Sequence, residues 1–62
     1  MPLVEISMLT GRSPEMVRDL ITRVHEAVQG ALDVAPDHIR VIIREIPLEH
    51  WAVGGVTKAE RR

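Results

Sequence analysis

The stretch "SPEMVRDLITRVHEAVQGAL", residues 13–32, is the longest patterned segment of the chain and constrains it most. Ser13 offers an N-cap hydroxyl, and Pro14 suits the first helical position. Glu15 sets a negative charge against the positive end of the helix. Val17, Leu20, Ile21, Val24, Val28, Ala31 and Leu32 recur at helical spacing, with Arg18, Asp19, Arg23, Glu26 and Gln29 on the other side. The pattern predicts one amphipathic helix with a broad apolar face that must be covered. "DVAPD" ends it, because Pro36 biases Ala35 away from helical angles.

Little chain is left to cover that face. "PLVEISML" before the helix and "HIRVIIREI" after it are short and rich in β-branched and apolar residues, so both read as strands. Pro2 is the first residue of the first strand, where its missing N–H costs no ladder bond. "TGRS" closes that strand and Pro47 closes the second. In "HWAVGGVT", Gly54 and Gly55 supply the positive φ of a tight hairpin turn, and "KAERR" is a polar tail.

Two strands joined by a long helix predict a parallel pair with a right-handed crossover. The expected fold is α/β: a short β-α-β subunit with parallel strands and a small C-terminal hairpin, one domain over residues 1–62, assembled into an oligomer. Arg40, Ile42 and Arg44 share one face of the second strand, opposite Val41 and Ile43. With the latter under the helix, the arginine face looks towards another subunit. The pattern leaves open which parity of the first strand meets the helix.

The case for self-association is physical. A 62-residue chain buries only about 60% of its unfolded surface and needs a further source of stability. There is no cysteine, one Trp and no Phe or Tyr, yet 45% of the residues are hydrophobic. Partner chains are the remaining source. The formal net charge of −1, with no basic stripe beyond Arg61-Arg62, argues against nucleic acid. No apolar run approaches the ~20 residues of a membrane span, and no basic leader precedes an apolar stretch. With the lack of cysteine, a cytoplasmic location is expected. His25, His38 and His50 lack metal-ligand spacing and are expected on the surface; no metal or cofactor is expected.

Four features, taken together, resemble one family. They are the Met1-Pro2 start, Gly11-Arg12-Ser13 closing the first strand, Arg40-Val41-Ile42-Ile43 in the second, and Trp51 followed by Gly54-Gly55. In order and spacing they are similar to the 4-oxalocrotonate tautomerase family, across essentially the whole chain. The resemblance implies that Pro2, freed by loss of Met1, is the catalytic group. It implies that Arg12 and Arg40 bind substrate, the second contributed by a neighbouring subunit, and that Trp51 lines the pocket where phenylalanine is usual. It also implies a homohexamer built as a trimer of dimers. His38 stands where some relatives carry a small hydroxyl residue that helps orient substrate. Ala52 and Val53 follow Trp51, where relatives that hydrate or dehalogenate acrylates carry a carboxylate.

These residue types suit a proton shift along an enol. The transferring group must be neutral at working pH while its conjugate acid still donates. A free α-amine begins near about 7.7–8.0, and an apolar pocket and nearby cations both disfavour its protonated form. Leu3, Leu9 and Trp51 can supply the first influence, Arg12 and Arg40 the second. A guanidinium also binds a carboxylate through two parallel hydrogen bonds, so two arginines suit a carboxylate or dicarboxylate substrate such as 2-hydroxymuconate. Each residue has a plainer role as well. Pro2 is an acceptable strand start and Arg12 an acceptable loop residue. Arg44 can be solvated or paired across an interface, and Trp51 can plug a core or an interface. Arg40, inside an apolar strand, demands a partner or a solvent-facing side.

Overall fold

The structure is a computed structural model and describes residues 1–61. Arg62, the end of the expected polar tail, lies outside the described residues. Strand β1 (Leu3–Leu9) leads to helix α1 (Pro14–Leu32), then strand β2 (Arg40–Ile46), with β3 (Ala52–Val53) and β4 (Val56–Thr57) closing the chain. β1 and β2 pair in parallel, from Leu3 opposite Arg40 to Leu9 opposite Ile46. β3 and β4 form an antiparallel hairpin, with Gly54 and Gly55 at φ 61° and 79° in its turn. Positive φ at both central residues is what a two-residue hairpin of this hand requires. Two 3₁₀ turns, Pro36–His38 and Leu48–His50, lie within segments that the sequence pattern leaves undivided.

Local chemistry explains the helix limits. The Ser13 hydroxyl accepts a hydrogen bond from the Met16 N–H at 3.2 Å, satisfying one of the donors that a helix start leaves free. Asp33 takes the left-handed conformation at φ 53°, and its N–H donates to the Gln29 carbonyl at 2.9 Å. Aspartate tolerates that conformation better than most residues. Ala35 is extended, as a residue before proline should be. The helix therefore stops at Asp33, and Pro36 keeps it from resuming.

The parity left open by the first strand is settled by register and burial. Val4, Ile6, Val41 and Ile43 are paired in register and half-buried on the helix side, with Met8 beside them. Leu3, Glu5, Ile42 and Arg44 lie on the open side and are exposed. Along α1, Val17, Leu20, Ile21, Val24 and Val28 are half-buried, as expected, whereas Ala31 and Leu32 are exposed. A 19-residue helix is about 28 Å long and a seven-residue strand about 20 Å, so the last helical turn overhangs the sheet. Gln29 and His25 are half-buried instead; His25 thus departs from the expected surface position, which His38 and His50 do occupy.

The subunit does not close on itself. Ile39 is the single buried hydrophobic residue among those described. The radius of gyration is 14.7 Å, against roughly 11 Å for a compact chain of this length. The accessible surface is 4777 Å², against roughly 4,000 Å² for a folded monomer of this mass. Leu3 and Ile42 on the open sheet face and Val53 and Val56 of the hairpin are among the exposed apolar residues, and the hairpin packs chiefly on the Leu48–His50 turn. No described helix is long and apolar enough to cross a membrane.

The cap gives a direct test. Ser13→Ala should lower stability by about 1 kcal/mol, read as a lower urea midpoint at fixed protein concentration, because the Met16 N–H loses its acceptor. A midpoint unchanged from the parent would mean that the cap contributes nothing here.

Candidate active site

Parallel pairing sorts the candidate residues by the end of the sheet they occupy. Pro2 precedes the first residue of β1 rather than occupying it, because the ladder opens at Leu3. Its carbonyl nevertheless accepts a hydrogen bond from the Arg40 N–H at 3.0 Å. Pro2 is half-buried there, at the mouth of the two strands, and Met1 beyond it is 85% exposed. His38 and Arg40 share this end, since β2 begins where β1 begins.

Arg40 sits on the open face, in register with Leu3, and is exposed. Its guanidinium Nη1 donates to the Asp37 carbonyl at 2.6 Å, so the Pro36–His38 turn holds the base of the charged group in place. A guanidinium has five donors and here leaves most of them for a ligand or another chain. His38 is exposed on the same turn. The role of this turn had one visible signal in the sequence, a proline four residues before an arginine in an apolar strand.

Leu9 and Arg12 lie at and beyond the far end of β1, and Trp51 follows the far end of β2. Leu9 is half-buried at the last rung, opposite Ile46, and the Thr10 N–H donates to the Ile46 carbonyl at 3.0 Å. Arg12 follows on the loop into α1, where Gly11 adopts φ 126° to turn the chain. Arg12 flanks an open groove of about 310 Å³ with Met8, Met16, Leu20, Asp19 and Arg23. Arg23 is tied to Asp19 at 2.8 Å. Met16, Leu20 and Arg23 at this groove escape a reading by motif, since they look like ordinary helix residues. Trp51 comes five residues after β2, half-buried, its carbonyl accepting from the Lys58 N–H at 2.7 Å. That bond closes the base of the hairpin.

Pro2 and Arg12 are therefore separated by the length of β1, about 20 Å. A second groove of about 430 Å³, between α1 and β2, is lined by Arg18, Thr22, His25 and Glu26 among others. Neither groove includes Pro2, Arg40 or Trp51. One chain thus presents an imino-acid residue and a cation at the strand mouth, and a cation beside apolar side chains at the far end. Arg44 is not free for ligand in the same way. It pairs within the chain, its Nη2 lying 3.0 Å from Glu5 Oε1 across the open face. Among the described residues, no three His, Asp or Glu side chains converge as a metal site would require.

Known proteins resemble this chain in sequence and in fold. The family model described as "Tautomerase enzyme" matches residues 2–61. The "Probable tautomerase" of Staphylococcus epidermidis is 39% identical over 61 residues, covering 98% of this chain and all of that one. The "2-hydroxymuconate tautomerase" of Pseudomonas putida is 42% identical over 55 residues, covering 89% of this chain and 87% of that one. Among solved structures, a chain of the heterohexamer 4-oxalocrotonate tautomerase from Chloroflexus aurantiacus superposes with a TM-score of 0.88 at 44% identity, over the full length of both. A parallel β-α-β unit with its C-terminal hairpin, matched end to end in sequence and in fold, makes this chain a member of the tautomerase family of isomerase enzymes.

Proposed function

We propose that the protein moves a proton between enol and keto forms of a 2-hydroxy-dienoate such as 2-hydroxymuconate, with the Pro2 amine as base and then acid. The observation that carries this reading is the seat of Pro2, half-buried at the strand mouth and held there by the 3.0 Å bond from Arg40 to its carbonyl. That bond uses the carbonyl and leaves the ring nitrogen for chemistry. The nitrogen becomes an amine only when Met1 is removed, and the exposure of Met1 leaves the Met1–Pro2 bond open to an aminopeptidase.

The proton inventory is simple. The amine lone pair takes the enol O–H proton, leaving a delocalised dienolate. The resulting ammonium returns the proton to a chain carbon, and a ketone remains at the former enol position. The base must start neutral, and a cation near it disfavours the protonated form. The same cation stabilises negative charge as it develops on oxygen. Arg12 and Arg40 fill these roles and bind the substrate carboxylates, with Trp51, Leu9 and His38 shaping the walls. Arg12 lies too far from the Pro2 of its own chain, and Arg40 faces outward. The complete pocket therefore forms between copies, in a homohexamer arranged as a trimer of dimers. The Pseudomonas putida relative, named for 2-hydroxymuconate, supports the choice of substrate.

A second reading has one observation in its favour. The relative of known structure at 44% identity is part of a heterohexamer, so this chain can be one of two kinds of subunit in a mixed assembly.

Three measurements decide. Intact-mass spectrometry of the natively expressed chain should find Met1 absent; its retention would sink the proline mechanism. An ultraviolet assay of 2-hydroxymuconate ketonisation should then show catalysis that Pro2→Ala reduces by roughly 10²–10⁴-fold with the assembly intact. Arg12→Ala and Arg40→Ala should each raise KM, because each removes a charged partner of a carboxylate. Sedimentation equilibrium of the chain alone should give the mass of six copies. A smaller, inactive species that becomes active with a second tautomerase-like chain would favour the mixed assembly.

A further inference from the structure

The open face of the β1–β2 sheet carries one feature that neither the fold nor the chemistry above requires. Glu5 and Arg44 meet on it, 39 residues apart in sequence, at 3.0 Å. They are diagonal neighbours, since Glu5 pairs in register with Ile42 and Arg44 with Ser7. Leu3 and Ile42 lie on the same face, 55% and 41% exposed. Leu9 and Ile46 close its far end. The face is thus an apolar strip with an ion pair near its centre. Both partners are about half exposed, and the contact occupies one carboxylate oxygen and one guanidinium nitrogen. The other oxygen and the other donors remain available to a second chain.

We propose that Glu5 and Arg44 are the partner-selecting element of the self-association face, each also pairing with the opposite charge on another copy. This rests on the self-assembly argued above and names which residues govern it. A second copy of this chain is the occupant for two reasons. First, the chain exposes roughly 700 Å² more than a folded monomer of its mass, close to the about 800 Å² per partner that stable interfaces cover. Second, apart from Arg40 at the strand mouth, which the proposed substrate would engage, the face carries one acid and one base near its centre, and that pair is self-complementary. In an isologous contact, position i of one copy meets j of the other and j meets i, so both cross-pairs form at once. A stray apolar partner would instead bury the pair without satisfying its remaining groups.

Charge reversal and mixing test this directly. Sedimentation of the unaltered chain comes first; a monomer at micromolar concentration would overturn self-assembly and this proposal together. With an oligomer in hand, E5R puts two cations at the centre of the face, beyond the Arg40 at its mouth, and R44E two anions. Each variant alone should fall to smaller species, with the dissociation midpoint rising by at least about tenfold. Mixed in equal amounts, the two should co-assemble, because each supplies the charges the other lacks. Variants that assemble alone like the parent, or that fail to co-assemble, would overturn the proposal while leaving self-assembly standing. Glu5→Gln covers the case in which a reversal prevents folding: it keeps the side-chain volume and should still raise the midpoint several-fold. An unchanged midpoint there would overturn the proposal as well.

Discussion

Everything in this chain depends on β1 and β2 pairing in parallel. Antiparallel strands can be joined by a two-residue turn, but parallel ones need a crossover of a dozen residues or more. That requirement calls for α1, and the 19 residues of α1 cover one face of a sheet only two strands wide. The same pairing places both strand starts at one end. It is why Pro2 meets Arg40 through a backbone hydrogen bond, and why Arg12, at the close of β1, is a strand's length away. No rotamer change can undo a separation set by the ladder.

Stability and the proposed catalysis therefore pose the same problem to this molecule. One face of the sheet is bare, and Ile39 alone is buried among the described hydrophobic residues. Covering a side chain such as Leu3 or Ile42 is worth about 1.5–3 kcal/mol when burial is complete. The Pro2 end also lacks the second cation that lies at the Arg12 end. Bringing a second chain against the first can supply the missing cover and the missing charge in one step. The hairpin fits this economy of design: two strands of two residues each, packed mainly on the Leu48–His50 turn, add little to the subunit that carries them.

The parts of the fold legible in the sequence are those set by near neighbours. Ser13-Pro14-Glu15 marks the helix start, and the observed cap uses the Ser13 hydroxyl. Gly54-Gly55 marks the hairpin, and both residues take the positive φ that the turn needs. The apolar spacing from Val17 to Val28 survives as the half-buried stripe. What escaped depends on distant residues. The parity of β1 follows from its register with β2, which no local pattern contains. Arg44 reads equally well as solvated or as paired across an interface. It is in fact paired within the chain, because the register sets Glu5 diagonally opposite. Ala31 and Leu32 continue the helical stripe in sequence but overhang the shorter strands in space. Pro2, Arg12 and Arg40 stand out as a set only through their joint spacing, and that spacing says nothing of the roughly 20 Å that β1 sets between Pro2 and Arg12.

The separation bears on specificity as well as on assembly. In the proposed site class selection would rest on charge, because guanidiniums such as those of Arg12 and Arg40 favour carboxylates whatever lies between them. Finer choice among such substrates falls to the walls, and these too are divided. His38 stands on the turn beside the Pro2 end, while Trp51 follows the far end of β2 and is anchored through its carbonyl by the hairpin. On the proposed assembly, a change at Trp51 would act on a pocket completed by another copy, and a change in how copies meet would alter the gap between Trp51 and His38 with neither residue touched. In such an assembly the geometry of the interface would itself help to determine which enol fits.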